Sequence, residues 1–427
     1  MDSLLSIVGI VVLLAIAFLL SNNKKAINYR TVLGALAIQI GIGALILYVP
    51  AGRDALLAAA QGVQKVINYG NDGIGFLFGG LVSDKMFEVF GGGGFVFALR
   101  VLPAIIFFAS LISVLYYIGV MQWVIKIIGG FLQVVLKTSK TESMSAAANI
   151  FVGQTEAPLV VKPYIAKMTE SELFAIMCGG LASVAGAVMI GYAQMGVPLP
   201  YLIAASFMAA PGGLLFAKIL FPQTEKPHDD IDHDGLEEKP ANVLDAAASG
   251  ASSGMQLAMN VGAMLLAFVA LIALLNGILG GVGEWIGFTD PNHPLTLQMI
   301  LGWIFQPLAY VIGVPWSEAQ VAGSMIGQKL VINEFVAYLD FVKYLGADAP
   351  VVLNEKTKAI ITFALCGFAN FSSIAILIGG LGTMAPNRRS DVARLGIKAV
   401  IAGSLSNLMS AAIAGLFIGL TGAALVV

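Results

Sequence analysis

Charged residues are scarce in this chain of 427 residues: Asp, Glu, Lys and Arg make up 11% of it, against about 25% in a typical soluble domain. The 23 basic and 25 acidic residues nearly balance, which excludes a nucleic-acid-binding protein that works through a basic face. The 58% content of apolar residues excludes an intrinsically disordered chain. The two cysteines, Cys178 and Cys366, lie in apolar runs, so no disulfide framework is predicted. Long apolar segments remain, and they predict a polytopic all-α membrane protein.

Histidine is nearly absent, with three residues in the whole chain. Gly250-Ala-Ser252-Ser-Gly254 matches the nucleophile-elbow pattern of hydrolases, but that pattern requires a strand–turn–helix context and a histidine partner. The histidines lie in an acidic loop, 225–239, and at His293 in another loop. Small residues four apart are typical of close helix–helix contacts in membranes. The sequence therefore predicts a protein that is not an enzyme.

Eight segments are long and apolar enough to cross a bilayer, which takes roughly 17–25 residues. Lys24, Lys25 and Arg30 follow the first segment, and because cytoplasmic loops carry the excess of Lys and Arg, they place the N-terminus outside. Asp2 in place of a basic region argues against a cleaved signal peptide. Eight spans also place the C-terminus outside, so we predict a multi-pass protein of a cell inner membrane with both termini on the outer side. The segments are 4–20, 32–50, 96–121, 171–191, 199–221, 255–283, 358–382 and 396–420.

Two further apolar stretches carry polar residues that a lipid-facing helix would not tolerate. One is 141–168, with Gln154 and Glu156, and the other is 316–345, with Glu334. Each splits into two arms of roughly a dozen residues, which are too short to cross the bilayer. Non-helical backbone is tolerated at membrane depth only where protein or a watery cavity covers it. We therefore predict two re-entrant hairpins whose polar tips lie near the midplane.

Each predicted hairpin follows a short amphipathic stretch and precedes two spans. The same order of elements therefore occurs twice in the chain. The helices after the hairpins share similar text, Phe174-Ala-Ile-Met-Cys178-Gly179 and Phe363-Ala-Leu-Cys366-Gly367. One span separates the copies, so the repeat is inverted, as is typical of secondary transporters; a channel or a receptor is the alternative. The predicted organisation is 1–121 scaffold helices, 122–221 first repeat, 222–254 acidic cytoplasmic linker, 255–283 a further scaffold span and 295–427 second repeat.

The intramembrane carboxylates Glu156 and Glu334, one in each hairpin, are the strongest functional candidates. Burying an ionisable group at the bilayer centre costs at least about 2.5–3.5 kcal/mol, although a structural contact with hairpin amides is the alternative. Gln154 and Thr155 add donors and acceptors beside Glu156. A carboxylate can accept from two neighbouring hydroxyls, as in a vicinal diol, and the tips contain no arginine to clamp an anion. These residues predict an uncharged polar ligand with two different hydrogen-bonding ends.

The sequence around Glu334 resembles the signature of the concentrative nucleoside transporters. Every fixed position is present in Gly327-Gln-Lys329-Leu-Val-Ile-Asn333-Glu334-Phe335-Val336-Ala337-Tyr338. The Gly153-Gln154-Thr155-Glu156-Ala157-Pro158 tip and the Gly367-Phe368-Ala369-Asn370-Phe371-Ser372-Ser373 segment are similar too, and the resemblance covers nearly the whole chain. It implies eight spans and two hairpins in a homotrimer, with span 255–283 at the trimer interface. It also implies an elevator mechanism that imports nucleosides with sodium; a proton-coupled symporter of the same fold is the alternative.

The resemblance also implies which residues bind the nucleoside and the coupling ion, Na⁺. Oxygen-only coordination suits such a hard cation, and unwound backbone supplies carbonyl oxygens. The residues implied to bind the base of a nucleoside such as uridine, and to pack on it, are Gln154, Thr155, Glu156 and Val188. Those implied to bind the ribose and line the pocket are Glu334, Asn370, Ser373 and Phe368. Those implied for sodium are Asn149 and Ser183, with backbone oxygens of Val152, Ser183 and Val184.

The acidic loop 225–239 contains Asp230-x-Asp232-x-Asp234-Gly235, the first half of a calcium-binding loop. The twelfth position of such a loop must be a bidentate Glu, and here it is Ala241. The loop is therefore predicted to be a solvated linker. The expected partners are nucleosides, membrane lipid and two further copies of the chain, but not nucleic acid.

Overall fold

The computed structural model describes residues 2–227, 240–288, 294–346 and 349–421. Within those ranges the chain is mostly helical and contains no strand. The predicted acidic motif and His293 lie outside the described residues. In chain order the helices are α1 (Asp2–Leu19), α2 (Tyr29–Gly43), α3 (Pro50–Phe78), α4 (Lys85–Phe90), α5 (Phe97–Arg100), α6 (Leu102–Tyr117), α7 (Val120–Leu136), α8 (Lys140–Ala148), α9 (Lys162–Ile165), α10 (Glu170–Ala182), α11 (Gly186–Gln194), α12 (Leu199–Leu220), α13 (Val243–Trp285), α14 (Leu297–Val311), α15 (Trp316–Val331), α16 (Glu334–Phe341), α17 (Glu355–Leu365), α18 (Ser372–Met384) and α19 (Arg389–Thr421).

Six helical segments of the described ranges are long and apolar enough to cross a membrane, or seven if the pair α14–α15, bent by 117°, forms one span. The predicted all-α fold with several long apolar helices is thereby confirmed, whereas the count of eight spans stays a prediction. The predicted seventh span, 358–382, consists of two shorter helices, α17 and α18, which explains part of the difference.

Two of the spans are broken near their middle, one in each repeat. The first break, Ser183–Ala185, separates α10 from α11, and the second, Cys366–Phe371, separates α17 from α18. The Phe368 N–H donates to the Ser183 carbonyl at 3.1 Å, which ties the two breaks together. Backbone groups at a break have no partner within a helix. A carbonyl oxygen has two lone pairs, so carbonyls at the breaks can contact a ligand even where they already accept one hydrogen bond.

Both hairpins are present, but their arms are not the equal dozens predicted from the sequence. In the first hairpin the second arm is a 3₁₀ turn, Ala157–Val161, followed by the four-residue α9. Pro158 and Pro163 lack an N–H and prevent one continuous helix there. In the second hairpin the arms have 16 and 8 residues. The Asn333 side chain accepts from the Val336 N–H at 2.9 Å and restarts the helix at Glu334.

The remaining helices differ from the sequence prediction in two places. The 29-residue α3 was not predicted as a helix of its own, because polar and charged residues along its length make it too polar for a span. The helix that contains the predicted span 255–283 begins at Val243 and runs for 43 residues, so it takes in the end of the predicted linker. Leu266 and Trp285 on this helix are 77% and 87% exposed, so the helix has a large exposed apolar face.

α6 and α13 pack most extensively on each other, although α6 also contacts α11. α6 packs along α13, while α1 packs on α19 and α2 on α12, the last helices of the two repeats. α1 and α2 thus contact the predicted repeats directly, and the grouping of 1–121 as scaffold stays a prediction. The Ser110 and Ser113 hydroxyls of α6 donate to the carbonyls of Ala247 and Ala246 at 2.8 Å. Close backbone approach of this kind is typical of membrane helices with small residues at the contact.

We expect Gly254→Ala to loosen the contact between α6 and α13 and lower the Tm. A Cβ at this position would lie 2.7 Å from the Ala109 Cβ and 2.8 Å from the Ile106 Cα, and overpacking of this kind costs about 1–3 kcal/mol. Thermal melting in detergent measures the effect. Gly41→Ala is the matched control, because a Cβ there meets nothing within 4 Å. Equal Tm values for the two variants would contradict the close packing.

The small-residue motif and both cysteines have the surroundings expected from the sequence. Gly250 and Gly254 lie against α6, as the helix-contact interpretation predicts. Cys178 and Cys366 are free thiols with exposures of 0% and 1%, as their position in apolar runs suggests. The run Gly91–Gly94 forms a 3₁₀ turn in which Gly91 has a φ of 54°, a conformation that favours glycine.

Candidate functional site

A pocket of about 700 Å³, counted to its open mouth, lies between the two hairpin tips and α13. Its polar wall comes from the hairpin tips and the second helix break, and its apolar wall from α13. The predicted nucleoside-binding residues all line it: Gln154, Thr155, Glu156, Val188, Glu334, Phe368, Asn370 and Ser373. The structure therefore brings the predicted residues of the two repeats together in one cavity, and their roles stay predictions.

The Glu334 carboxylate is buried at the start of α16, with 5% of the residue exposed. Its Oε1 accepts from the Tyr192 hydroxyl at 3.1 Å, and its Oε2 accepts from Asn370 Nδ2 at 2.9 Å. A carboxylate has about four acceptor positions, so two partners leave it able to accept from hydroxyl groups of a ligand. Glu334 is the first residue of α16, the second arm of the hairpin.

Asn370 holds the second helix break in position beside the carboxylate. Its Oδ1 accepts from the Ser372 hydroxyl at 2.7 Å and from the Ser373 N–H at 2.9 Å. The Ser373 hydroxyl in turn accepts from Gln154 Nε2 at 3.3 Å. This last hydrogen bond joins the first hairpin to the second repeat. The polar wall of the pocket is therefore one connected network, which limits the rotamers of its members.

The first hairpin tip presents a second carboxylate to the pocket. Glu156 Oε2 accepts from the Gly153 N–H at 3.0 Å, while the rest of the exposed Glu156 side chain remains free to meet a ligand. Gln154 Oε1 is buried and has no hydrogen-bond partner among the described residues. An unpaired buried acceptor is costly, so this oxygen is suited to accept from a ligand N–H. The tip can thus both accept from and donate to a planar polar group.

The predicted sodium ligands lie beside the first helix break. Asn149 ends α8, is 1% exposed, and neither polar atom of its side chain has a hydrogen-bond partner among the described residues. It faces α10, since a Cβ at Gly179 would lie 3.0 Å from Asn149 Nδ2. Ser183 and Val184 lie in the unwound segment that follows α10, where Ser183 is extended, with a φ of −107° and a ψ of 172°.

A hard cation fits this site. The donors available are neutral oxygens, from the Asn149 amide and the carbonyls of the unwound segment, which suit sodium better than a transition metal. Across the described ranges, no group of three or more His, Cys, Asp or Glu side chains could hold a metal ion. A bound cation would supply the partner that the Asn149 side-chain oxygen lacks.

Two parts of the site were not predicted from the sequence. Tyr192 is fully buried, and its ring packs against Phe335 and Tyr338 with centroid distances of 4.7 and 4.4 Å. A buried Tyr hydroxyl needs a hydrogen-bond partner, so a Tyr directly after the predicted span 171–191 was the available signal. The apolar wall of the pocket comes from Leu257, Val261, Met264 and Leu265 of α13, which no motif distinguishes from other apolar residues of that helix.

Three family models match the chain. Their descriptions are "Na+ dependent nucleoside transporter N-terminus" for residues 8–81, "Nucleoside recognition" for 98–199 and "Na+ dependent nucleoside transporter C-terminus" for 201–415. The nucleoside permease NupC of Helicobacter pylori is 58% identical over 421 residues, which cover 98% of this chain and 99% of the permease. The sodium/nucleoside cotransporter 2 of Rattus norvegicus is 36% identical, and the match covers 97% of this chain and 63% of the rat protein.

Solved structures show the same fold. CNTnw in an inward-facing, substrate-bound state is 71% identical, with a TM-score of 0.95 over 99% of this chain and 100% of that chain. Variants of CNTnw in an outward-facing state and in an intermediate state match with TM-scores of 0.94 and 0.96. The names of the relatives indicate a transporter and not an enzyme. The chain therefore belongs to the Na⁺-dependent concentrative nucleoside transporter family of multi-pass membrane proteins.

Proposed function

We propose that the protein is a secondary active symporter that imports nucleosides with the sodium gradient. The observation that carries this proposal is the pocket, in which Gln154 and Glu156 from one repeat face Glu334 and Asn370 from the other. The first pair offers hydrogen-bonding groups to a nucleobase, and the second pair offers acceptors and donors to the ribose hydroxyls. Family membership and the substrate-bound state of CNTnw support the same assignment.

The first helix break supports sodium as the coupling ion. The Asn149 side chain lies between the first hairpin and α10 without a protein partner among the described residues, and the tip that follows it carries Gln154 and Glu156. A cation that binds Asn149 would order this tip for the nucleobase, so ion and nucleoside would each raise the affinity for the other. The driving force is about 2.3 kcal/mol per charge at 100 mV, plus the sodium gradient.

The mechanism we propose is an elevator in a homotrimer of the cell inner membrane. The two repeats, 122–221 and 295–427, would move together against a scaffold that includes α6 and α13. The close packing of α6 on α13 and the exposed apolar face of α13 support this division, because a face such as that around Leu266 suits a subunit interface. Inward-facing, intermediate and outward-facing states exist for CNTnw. Both termini would lie on the outer side.

Uptake of labelled uridine into proteoliposomes tests the proposal. We expect accumulation when sodium is higher outside, and little uptake when choline replaces sodium. A proton-coupled symporter of the same fold, with Glu156 or Glu334 as the proton carrier, would instead follow a pH gradient without a sodium response. Saturation and counterflow by unlabelled uridine are expected of a carrier and would be absent from a pore. Uptake that follows neither gradient would overturn the proposal.

We expect Tyr192→Phe to lower uridine affinity about tenfold, since a hydrogen bond to a charged group contributes about 1.5–3 kcal/mol. The change removes the hydroxyl that donates to Glu334 Oε1 and keeps the ring packing. Because Tyr192 acts through Glu334, discrimination between uridine and 2′-deoxyuridine should fall as well. Isothermal titration calorimetry measures both quantities. Tyr310→Phe, on α14 outside the pocket, is the control; unchanged affinity in Tyr192→Phe would show that Glu334 needs no such support.

A further inference from the structure

Each broken span ends a half-helix inside the protein. α10 ends at Ala182 and α17 ends at Leu365, one in each repeat. The last carbonyls of a helix lack partners and carry partial negative charge, and such half-helix ends bind cations in transporters. The inverted repeat therefore contains two places that favour a positive charge.

In the first repeat, the group that faces the half-helix end is an amide. Asn149 lies at the end of the first arm of its hairpin, beside Gly179 of α10, and both its polar atoms are without a partner among the described residues. A neutral side chain cannot supply the positive charge. This place is open to an ion from solution.

In the second repeat, the corresponding group is an ammonium. Lys329 lies in the last turn of α15, the first arm of its hairpin, and 3% of the residue is exposed. Its Nζ donates to the Ala364 carbonyl of α17 at 3.1 Å and to Asn407 Oδ1 at 2.6 Å. A lysine ammonium is a compact point charge with three donors. The second half-helix end is thus already in contact with a cation, and this cation is a side chain of the protein itself.

One side chain connects the two places. Asn407 of α19 is 2% exposed, and its Nδ2 donates to the Ala182 carbonyl at 2.6 Å and to the Cys366 carbonyl at 2.9 Å. Its Oδ1 accepts from Lys329. The same amide therefore touches the end of α10, the end of α17 and the ammonium. Asn407 therefore joins both half-helix ends to the Lys329 ammonium.

We propose that Lys329 is a tethered cation that occupies, in the second repeat, the place that a second sodium ion would need. The transporter then couples one sodium ion to each nucleoside. Charge supports this number: the pocket carboxylates Glu156 and Glu334 are balanced by the Lys329 ammonium together with one sodium ion. The loaded protein then crosses the bilayer without net charge at the site, where an unbalanced charge is costly. This inference rests on the proposed sodium symport.

The experiment measures how many sodium ions and how many charges are transported with each uridine. In proteoliposomes that hold a uridine gradient, the membrane potential that stops net uridine flux gives the charge carried with each uridine. We expect one charge and one sodium ion per uridine in the wild type. A value of two would overturn the Lys329 proposal and leave sodium symport intact, whereas flux without any response to sodium would overturn the proposed function itself.

Substitution of Lys329 provides a second test of the proposal. In Lys329→Gln the second place loses its cation, so the slope of log uridine affinity against log sodium concentration should rise from about one to about two. Lys329→Arg keeps the charge, and Lys343→Gln removes an exposed lysine of the same hairpin with a 65% exposed side chain; both should keep a slope of about one. A folded Lys329→Gln that binds uridine with a slope of one would overturn the proposal. If that variant does not fold, the wild-type stoichiometry decides.

Discussion

Replacing Glu334 with alanine is expected to lower uridine affinity at least about 100-fold, to below detection in calorimetry, because two hydrogen bonds to a charged acceptor contribute about 1.5–3 kcal/mol each. The variant removes the carboxylate proposed to accept from the ribose hydroxyls. It also leaves the Tyr192 hydroxyl and Asn370 Nδ2 without their acceptor inside the protein. The loss should therefore exceed that of Tyr192→Phe, which removes one donor only.

The control for this prediction is a carboxylate outside the pocket. Glu355→Ala removes an exposed side chain at the start of α17, paired with Lys358, and should leave uridine affinity unchanged. Glu334→Gln keeps the shape and one acceptor oxygen, so its affinity should lie between those of the wild type and Glu334→Ala. Deoxyuridines make the test specific: Glu334→Ala should bind uridine and 2′-deoxyuridine equally weakly. Near-normal uridine binding by a folded Glu334→Ala would refute the ribose-binding role.

Replacing Asn149 with leucine is expected to abolish the sodium dependence of uridine binding. The leucine is of similar size and removes the side-chain oxygen that has no partner among the described residues. Because a buried unpaired polar group is costly, the fold should tolerate the change well. Without sodium the first hairpin tip is not ordered for the base, so uridine affinity in saturating sodium should fall to the sodium-free value of the wild type.

A titration of uridine at several sodium concentrations checks this prediction, together with the Tm in the presence and absence of sodium. The wild type should gain thermal stability with sodium, as expected for a ligand that binds the folded state, and Asn149→Leu should not. Asn68→Leu makes the same chemical change at an exposed position of α3 and should respond to sodium like the wild type. An unchanged sodium response in Asn149→Leu would show that the ion binds elsewhere.

The sequence predicted those parts of the fold in which a residue differs chemically from its neighbours in the chain. Glu156 and Glu334 stand out because a carboxylate in an apolar run is costly, and they correctly located both hairpin tips. The buried cysteines and the contact at Gly254 followed from the same kind of local reasoning. For the site itself, the sequence predicted eight residues that line one cavity.

The parts that could not be predicted depend on contacts between residues far apart in the chain. Nothing local to Tyr192 shows that its hydroxyl meets a carboxylate 142 residues later. Asn407 lies in an apolar helix with no motif around it, yet it binds both helix breaks. The unequal hairpin arms result from single residues, Pro163 and Asn333, whose effect on helix continuity depends on where the neighbouring arm packs. Hydrophobic periodicity depends only on local sequence, so it cannot predict contacts of this kind.

The complete burial of the two native thiols makes the chain ready for site-directed labelling. Maleimide and methanethiosulfonate reagents need a solvent-accessible thiolate, and Cys178 and Cys366 have exposures of 0% and 1%. Fluorophores or spin labels would therefore react with an introduced cysteine without prior removal of the native ones. One label would replace the exposed Trp285 of α13, and another would replace Lys343 of the second hairpin. The distance between them would report how the repeats move against the proposed scaffold during transport.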